Sequence, residues 1–134
     1  LSVWERRVDY ALRNLGDRSV LNRSPLARLD HIEKLAGDQY NGHLLPRGLA
    51  LHDVLLACVQ KVSAELGNDP GLMRACRYLE LLAKGVTCQE ISRQLGLSRE
   101  HVSRVYRKKA IELVTEEFLS VVKNDRVSHD HKPI

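Results

Sequence analysis

An all-α chain of several helices is the fold class this sequence predicts. Apolar residues recur at helical spacing, as in Trp4, Val8, Ala11, Leu12 and Leu15. Serine, threonine and aspartate stand where helices should start, and glycine and proline where they should stop. No stretch alternates apolar and polar residues for more than a few positions, so strand signals are nearly absent. At 134 residues the chain can bury a real core as one domain, without disulfide or metal staples.

Taken in order, "SVWE" opens as a capping box in which Ser2 and Glu5 satisfy each other's amides. Gly16 can close that first helix in a left-handed conformation, and Asp17 begins a short helical turn through Leu21. A helix from Ser24 follows, with Pro25 at its first position and Gly37 just past its end. Residues 37–46 form the longest loop and the best candidate hinge. Pro46 opens a long helix to Leu66 whose buried face reads Leu51, Leu55, Cys58, Val59, Val62 and Leu66. After "GNDPG", Pro70 starts a helix that buries Met73, Cys76, Leu79 and Leu82 and stops at Gly85. The tail, residues 123–134, is polar and aperiodic, which predicts disorder. This divides the chain into an N-terminal helical region (1–45), a second helical unit (46–122) and the tail.

The second unit holds the most specific pattern. Thr87 and Glu90 form a second capping box, so a short helix starts at Cys88 and ends at Gly96. Ser98 caps another helix at once. Ile91, Leu95 and Leu97 face Val102 and Val105, with small Ser92 where two closely crossing helices leave no room. A short helix, a glycine turn and a second helix describe a helix-turn-helix. Its second helix, 98–110, keeps one face free, and an α-helix fits the major groove of B-DNA. With Val102 and Val105 inward, the free face presents Arg99, Glu100, Ser103, Arg104 and Arg107 to base edges. Thr87, Ser98, His101, Lys108 and Lys109 are the candidate phosphate contacts.

Charge agrees with that placement. From Arg74 to Lys109, nine Lys or Arg against three Glu give +6, so the rest of a chain of formal charge +4 sums to −2. A basic segment on a slightly acidic body suits a polyanionic partner.

The segment "TCQEISRQLGLSREHVSRVYRKKAIELV" resembles the helix-turn-helix of bacterial sigma factor region 4 and of LuxR-type regulators. Thr87, Glu90, Ile91, Leu95, Gly96, Leu97, Ser98, Arg99, Glu100, Val102 and Ala110 fall in register with that pattern. The resemblance covers residues 74–114 or so and implies a bacterial transcription regulator that binds specific double-stranded DNA. It also implies that Arg99, Glu100 and Arg104 contact bases.

Other chemistries find little support. The three cysteines, Cys58, Cys76 and Cys88, are far apart with no CxxC, which argues against a zinc ribbon or disulfide framework and suits a reducing cytoplasm. The histidines lack metal-ligand spacing, and no phosphate loop or nucleophile cluster stands out, so neither enzyme activity nor a cofactor is expected. No apolar run reaches the roughly 20 residues that span a bilayer. The chain opens on Leu1 rather than methionine, which fits a piece of a longer protein.

Eight of the thirteen residues from Ala110 to Val122 are apolar, on more than one face of one helix. Such a helix is buried on more than one side, either within the monomer or between subunits. The expectation is a homodimer interface through Ile111, Val114, Phe118 and Val121. A competing expectation is a protein-interaction module, for example one that binds RNA polymerase, excised from a larger signalling protein.

Overall fold

The computed structural model describes residues 2–69 and 72–130, the side chains of Ser103 and 124–130 excepted. The chain is all-α, with no strand among the described residues. Helix α1 (Val3–Arg13) starts at the expected capping box: Ser2 Oγ accepts from the Glu5 amide at 3.1 Å, and Glu5 Oε1 accepts from the Ser2 amide at 2.8 Å. It closes at Asn14 instead of through a left-handed Gly16. Helix α2 (Arg18–Asn22) is capped by Asp17.

The helix expected from Ser24 to Gly37 is two pieces. Residues Pro25–Arg28 wind as a tight 3-10 turn capped by Ser24, Leu29 is extended, and α3 (Asp30–Gln39) then carries Gly37 inside it. The break lets Leu26 and Ala27 reach the core from the first piece and Ile32 and Ala36 from the second.

Helix α4 (Pro46–Leu66) has the bounds and buried face read from the sequence, and it packs against α2, α3 and two later helices, Met73–Ala83 and Lys108–Asp130. Its Gly48 makes one of these contacts possible. A Cβ there would stand 2.4 Å from the Arg18 carbonyl oxygen, and the Gly48 amide donates to Asn22 Oδ1 at 3.0 Å. Backbone meets backbone, and only glycine leaves the space.

Helix α5 (Met73–Ala83) buries Cys76, Leu79 and Leu82 as expected, together with Ala75, Tyr78 and Leu81. Met73, expected inside, is 58% exposed, because the helix meets the core only from Ala75 onward. Pro70, expected to start the helix, lies outside the described residues. Helix α6 (Cys88–Leu95) and α7 (Arg99–His101) follow, and α7 passes without a break through a π-helical segment (Val102–Arg107) into α8 (Lys108–Asp130).

Helix α8 corrects the expected dimer interface. Ile111, Val114 and Phe118 are each fully buried within the chain, where α8 packs on α1, α3, α4 and α5. They cannot also meet a second subunit. Val121 is half-buried against the same core. The physical reason is that α8 crosses several helices at once, so its wide apolar surface is satisfied internally. Lys61 Nζ bridges α4 to α8 at 3.2 Å from Glu117. The helix runs to Asp130, into the stretch expected to be disordered, and residues 131–134 lie outside the described residues. No helix among the described residues is long and apolar enough to cross a membrane.

Candidate functional site

The candidate site is built on α6, its glycine turn and α7. Thr87 Oγ1 accepts from the Glu90 amide at 3.2 Å and starts α6. The reciprocal half of the expected capping box is missing. Glu90 instead takes two hydrogen bonds from Arg93, at 2.6 and 2.9 Å, and that pairing holds its carboxyl below the usual range. Gly96 adopts a left-handed conformation (φ 68°). Its amide donates to the Arg93 carbonyl at 3.2 Å and the Leu97 amide to the Ser92 carbonyl at 3.1 Å, a pairing that ends α6 and seats Leu97 against the core. Ser98 Oγ then accepts from the His101 amide at 3.1 Å and starts α7. Behind the turn, Ile91, Ser92 and Val102 are buried, and Leu95 and Leu97 are half-buried. Ser92 stays small and satisfied, its hydroxyl donating to the Cys88 carbonyl at 2.9 Å.

The outward side carries most of the expected residues. Arg99, Glu100, His101, Arg104, Lys108 and Lys109 are all exposed. Arg104 and Glu100 approach to 3.7 Å with side chains 75% and 80% exposed, so solvent screens their attraction and both stay available. His101 meets the Tyr106 ring edge-on, 5.6 Å between centroids, and Arg74 donates to the Tyr106 hydroxyl at 3.5 Å. The side chain of Ser103 lies outside the described residues. The hydroxyls of Thr87 and Ser98 are engaged as caps.

Two expectations fail together, for one reason. Val105, expected in the motif core, is 45% exposed. Arg107, expected on the free face, turns inward with a side chain 22% exposed, and it binds Asp9 of α1 through Nε at 3.3 Å and Nη2 at 2.5 Å. Between Val102 and Arg107 the helix is π-wound, with hydrogen bonds to the fifth residue rather than the fourth. Wider turns bring the fourth and fifth positions back over Val102 in place of the third. Tyr106 and Arg107 therefore face in, and Val105 faces out.

Asp9 is the residue that the sequence reading missed. It is 5% exposed on the buried side of α1, between Val8 and Ala11, and it also pairs with Arg13 Nε at 3.4 Å. A buried carboxylate needs such partners. The hydrogen bonds from Arg107 to Asp9 raise the arginine's pKa further, so the guanidinium keeps its charge. The signal available in the sequence was an acid beside the apolar stripe of α1, but nothing local names its partner 98 positions away.

Beside this pair lies a cleft of about 180 Å³, lined by Arg13, Tyr78, Cys88, Arg99, Val102 and Arg107. A second cleft, of about 320 Å³, runs along the other side of the π segment between Leu72, Ala75, Val105, Tyr106 and Lys108. Among the described residues no three His, Cys, Asp or Glu side chains come together to hold a metal ion. No protein-family model, curated protein or solved structure matches the chain.

Proposed function

We propose that the chain binds specific double-stranded DNA as a transcription regulator, with the helix beginning at Arg99 read into the major groove. The observation that carries this reading is the exposed, donor-rich start of that helix. Arg99, Glu100 and Arg104 stand out from a helix whose other side is anchored by Ile91 and Val102. Arginine can pair with guanine through two parallel hydrogen bonds, and glutamate can accept from cytosine. Lys108 and Lys109, one turn on, suit phosphate, as does exposed His101. Arg107 is withdrawn from the set of reading residues by its bond to Asp9.

A single helix reads too few base pairs to select a genomic site, so the reading includes two copies acting on two half-sites. Their contact has to use surfaces other than Ile111, Val114 and Phe118. Fluorescence anisotropy on duplexes chosen by selection from a random pool tests the proposal. Four to six neutralised phosphates per subunit give a log–log salt slope of about −4 to −5. A flat titration, or no duplex retained, overturns it.

A second reading, a helical module that binds a protein such as RNA polymerase, is favoured by exposed Val105 and the apolar cleft beside it. Binding through that cleft would depend little on salt.

A further inference from the structure

We propose that the cleft between the end of α1 and the start of α7 is an oxyanion pocket that takes a phosphate group. Of the six residues that line it, only Val102 brings no hydrogen-bond donor, and none is a carboxylate. Three guanidinium groups reach it from separate elements: Arg13 from α1, Arg99 from α7 and Arg107 from the π segment. Asp9 binds Arg13, through Nε, and Arg107, and holds both in place. Arg99 is exposed at the start of α7. Guanidiniums held in place in this way are a usual basis of phosphate recognition.

The second observation is Tyr78. Tyr78 is fully buried among the residues that line the cleft, and its hydroxyl is paired with Cys88 Sγ at 3.9 Å. A thiol at that distance is a weak partner, which leaves a buried O–H with most of its donor capacity unused. Burial raises the tyrosine's pKa, so the hydroxyl keeps its proton. Cys88 is the first residue of α6, where the helix presents unpaired amides and the positive end of its dipole. A tetrahedral oxyanion would complete the hydroxyl, the guanidiniums and the helix end together.

The phosphate can come from the backbone of a DNA strand lying across α7 or from a small free phosphorylated compound. The pocket's chemistry is the same for both, and the inference does not rest on the DNA reading. The test is nuclear magnetic resonance of the intact chain, following the arginine Nε–H and Cys88 amide signals. Inorganic phosphate is titrated at constant ionic strength, and a duplex is titrated separately. Saturable shifts of the Arg13, Arg99 and Cys88 signals with phosphate, weakened about tenfold in Tyr78→Phe and in Arg99→Gln, support a free-anion site. Shifts of the same signals only with duplex support the backbone source, provided that Arg13→Gln makes the salt slope shallower by about one. If neither titration moves these signals, or if the Tyr78→Phe and Arg99→Gln proteins respond as the wild type does, the inference is overturned.

Discussion

Arg104 and Arg107 stand three positions apart on one continuous helix, yet their surroundings differ in every respect that matters for binding. Arg104 is 75% exposed and shares a solvent-screened contact with Glu100, whereas Arg107 is bound by a carboxylate that is itself buried. Substitution should separate the two. Arg104→Gln is expected to weaken specific DNA binding by about 1–3 kcal/mol with little change in stability. Arg107→Gln is expected to cost about 2–3 kcal/mol of folding stability, because Asp9 then keeps only Arg13. Urea unfolding and duplex binding of both variants check this. An Arg107→Gln protein as stable as wild type but deficient in binding would return Arg107 to the reading face. Cys58 behaves as a core residue at the same scale: burial pushes its thiol up to about 12, so it is an inert packing group.

At the scale of the element, glycine marks two different constraints. Gly96 sits at positive φ in the turn between α6 and α7, where a side chain strains the backbone. Gly48 has ordinary helical geometry, and its constraint is steric: α2 lies so close to α4 that a Cβ would meet the Arg18 carbonyl oxygen at 2.4 Å. Gly48→Ala should therefore destabilise the protein by about 2–3 kcal/mol through overpacking. Gly37→Ala is the matching control. That glycine lies within α3 with open space around it, so the substitution should stabilise by about 0.5–1 kcal/mol through helix propensity. Thermal melts of the pair decide, and equal effects would mean that the α2–α4 contact yields easily. The π segment belongs to this scale too. Its wider winding turns Val105 out and Arg107 in.

For the whole molecule, α8 is the organising fact. It starts beneath the exposed basic face and then passes through the core, so Ile111, Val114 and Phe118 join α1, α3, α4 and α5 around one interior. The helix that carries the exposed basic residues and the centre of the fold are thus one piece of chain. Phe118→Ala should cost about 3–5 kcal/mol of stability. Phe118→Glu should unfold the protein instead of yielding folded monomers, as circular dichroism with sedimentation equilibrium would show. A folded, monomeric Phe118→Glu protein would contradict the interior position of this side chain.

The sequence by itself determined what is decided within about one helical turn. Ser2, Asp17, Ser24, Thr87 and Ser98 were legible as caps, and all five accept the hydrogen bonds that the spacing implied. The left-handed Gly96 and the bounds and buried face of α4 were legible for the same reason: capping, turn chemistry and periodicity are local. Of the candidate site, Arg99, Glu100, His101, Arg104, Lys108 and Lys109 were correctly placed at the surface. Only the tertiary structure decided the rest. Apolar periodicity shows that Ile111, Val114 and Phe118 must be covered, but it cannot say by what, and the covering helices come from distant parts of the chain. Nothing near Arg107 in sequence could announce Asp9, 98 positions earlier, because a charge buried in a core chooses its partner by proximity in space.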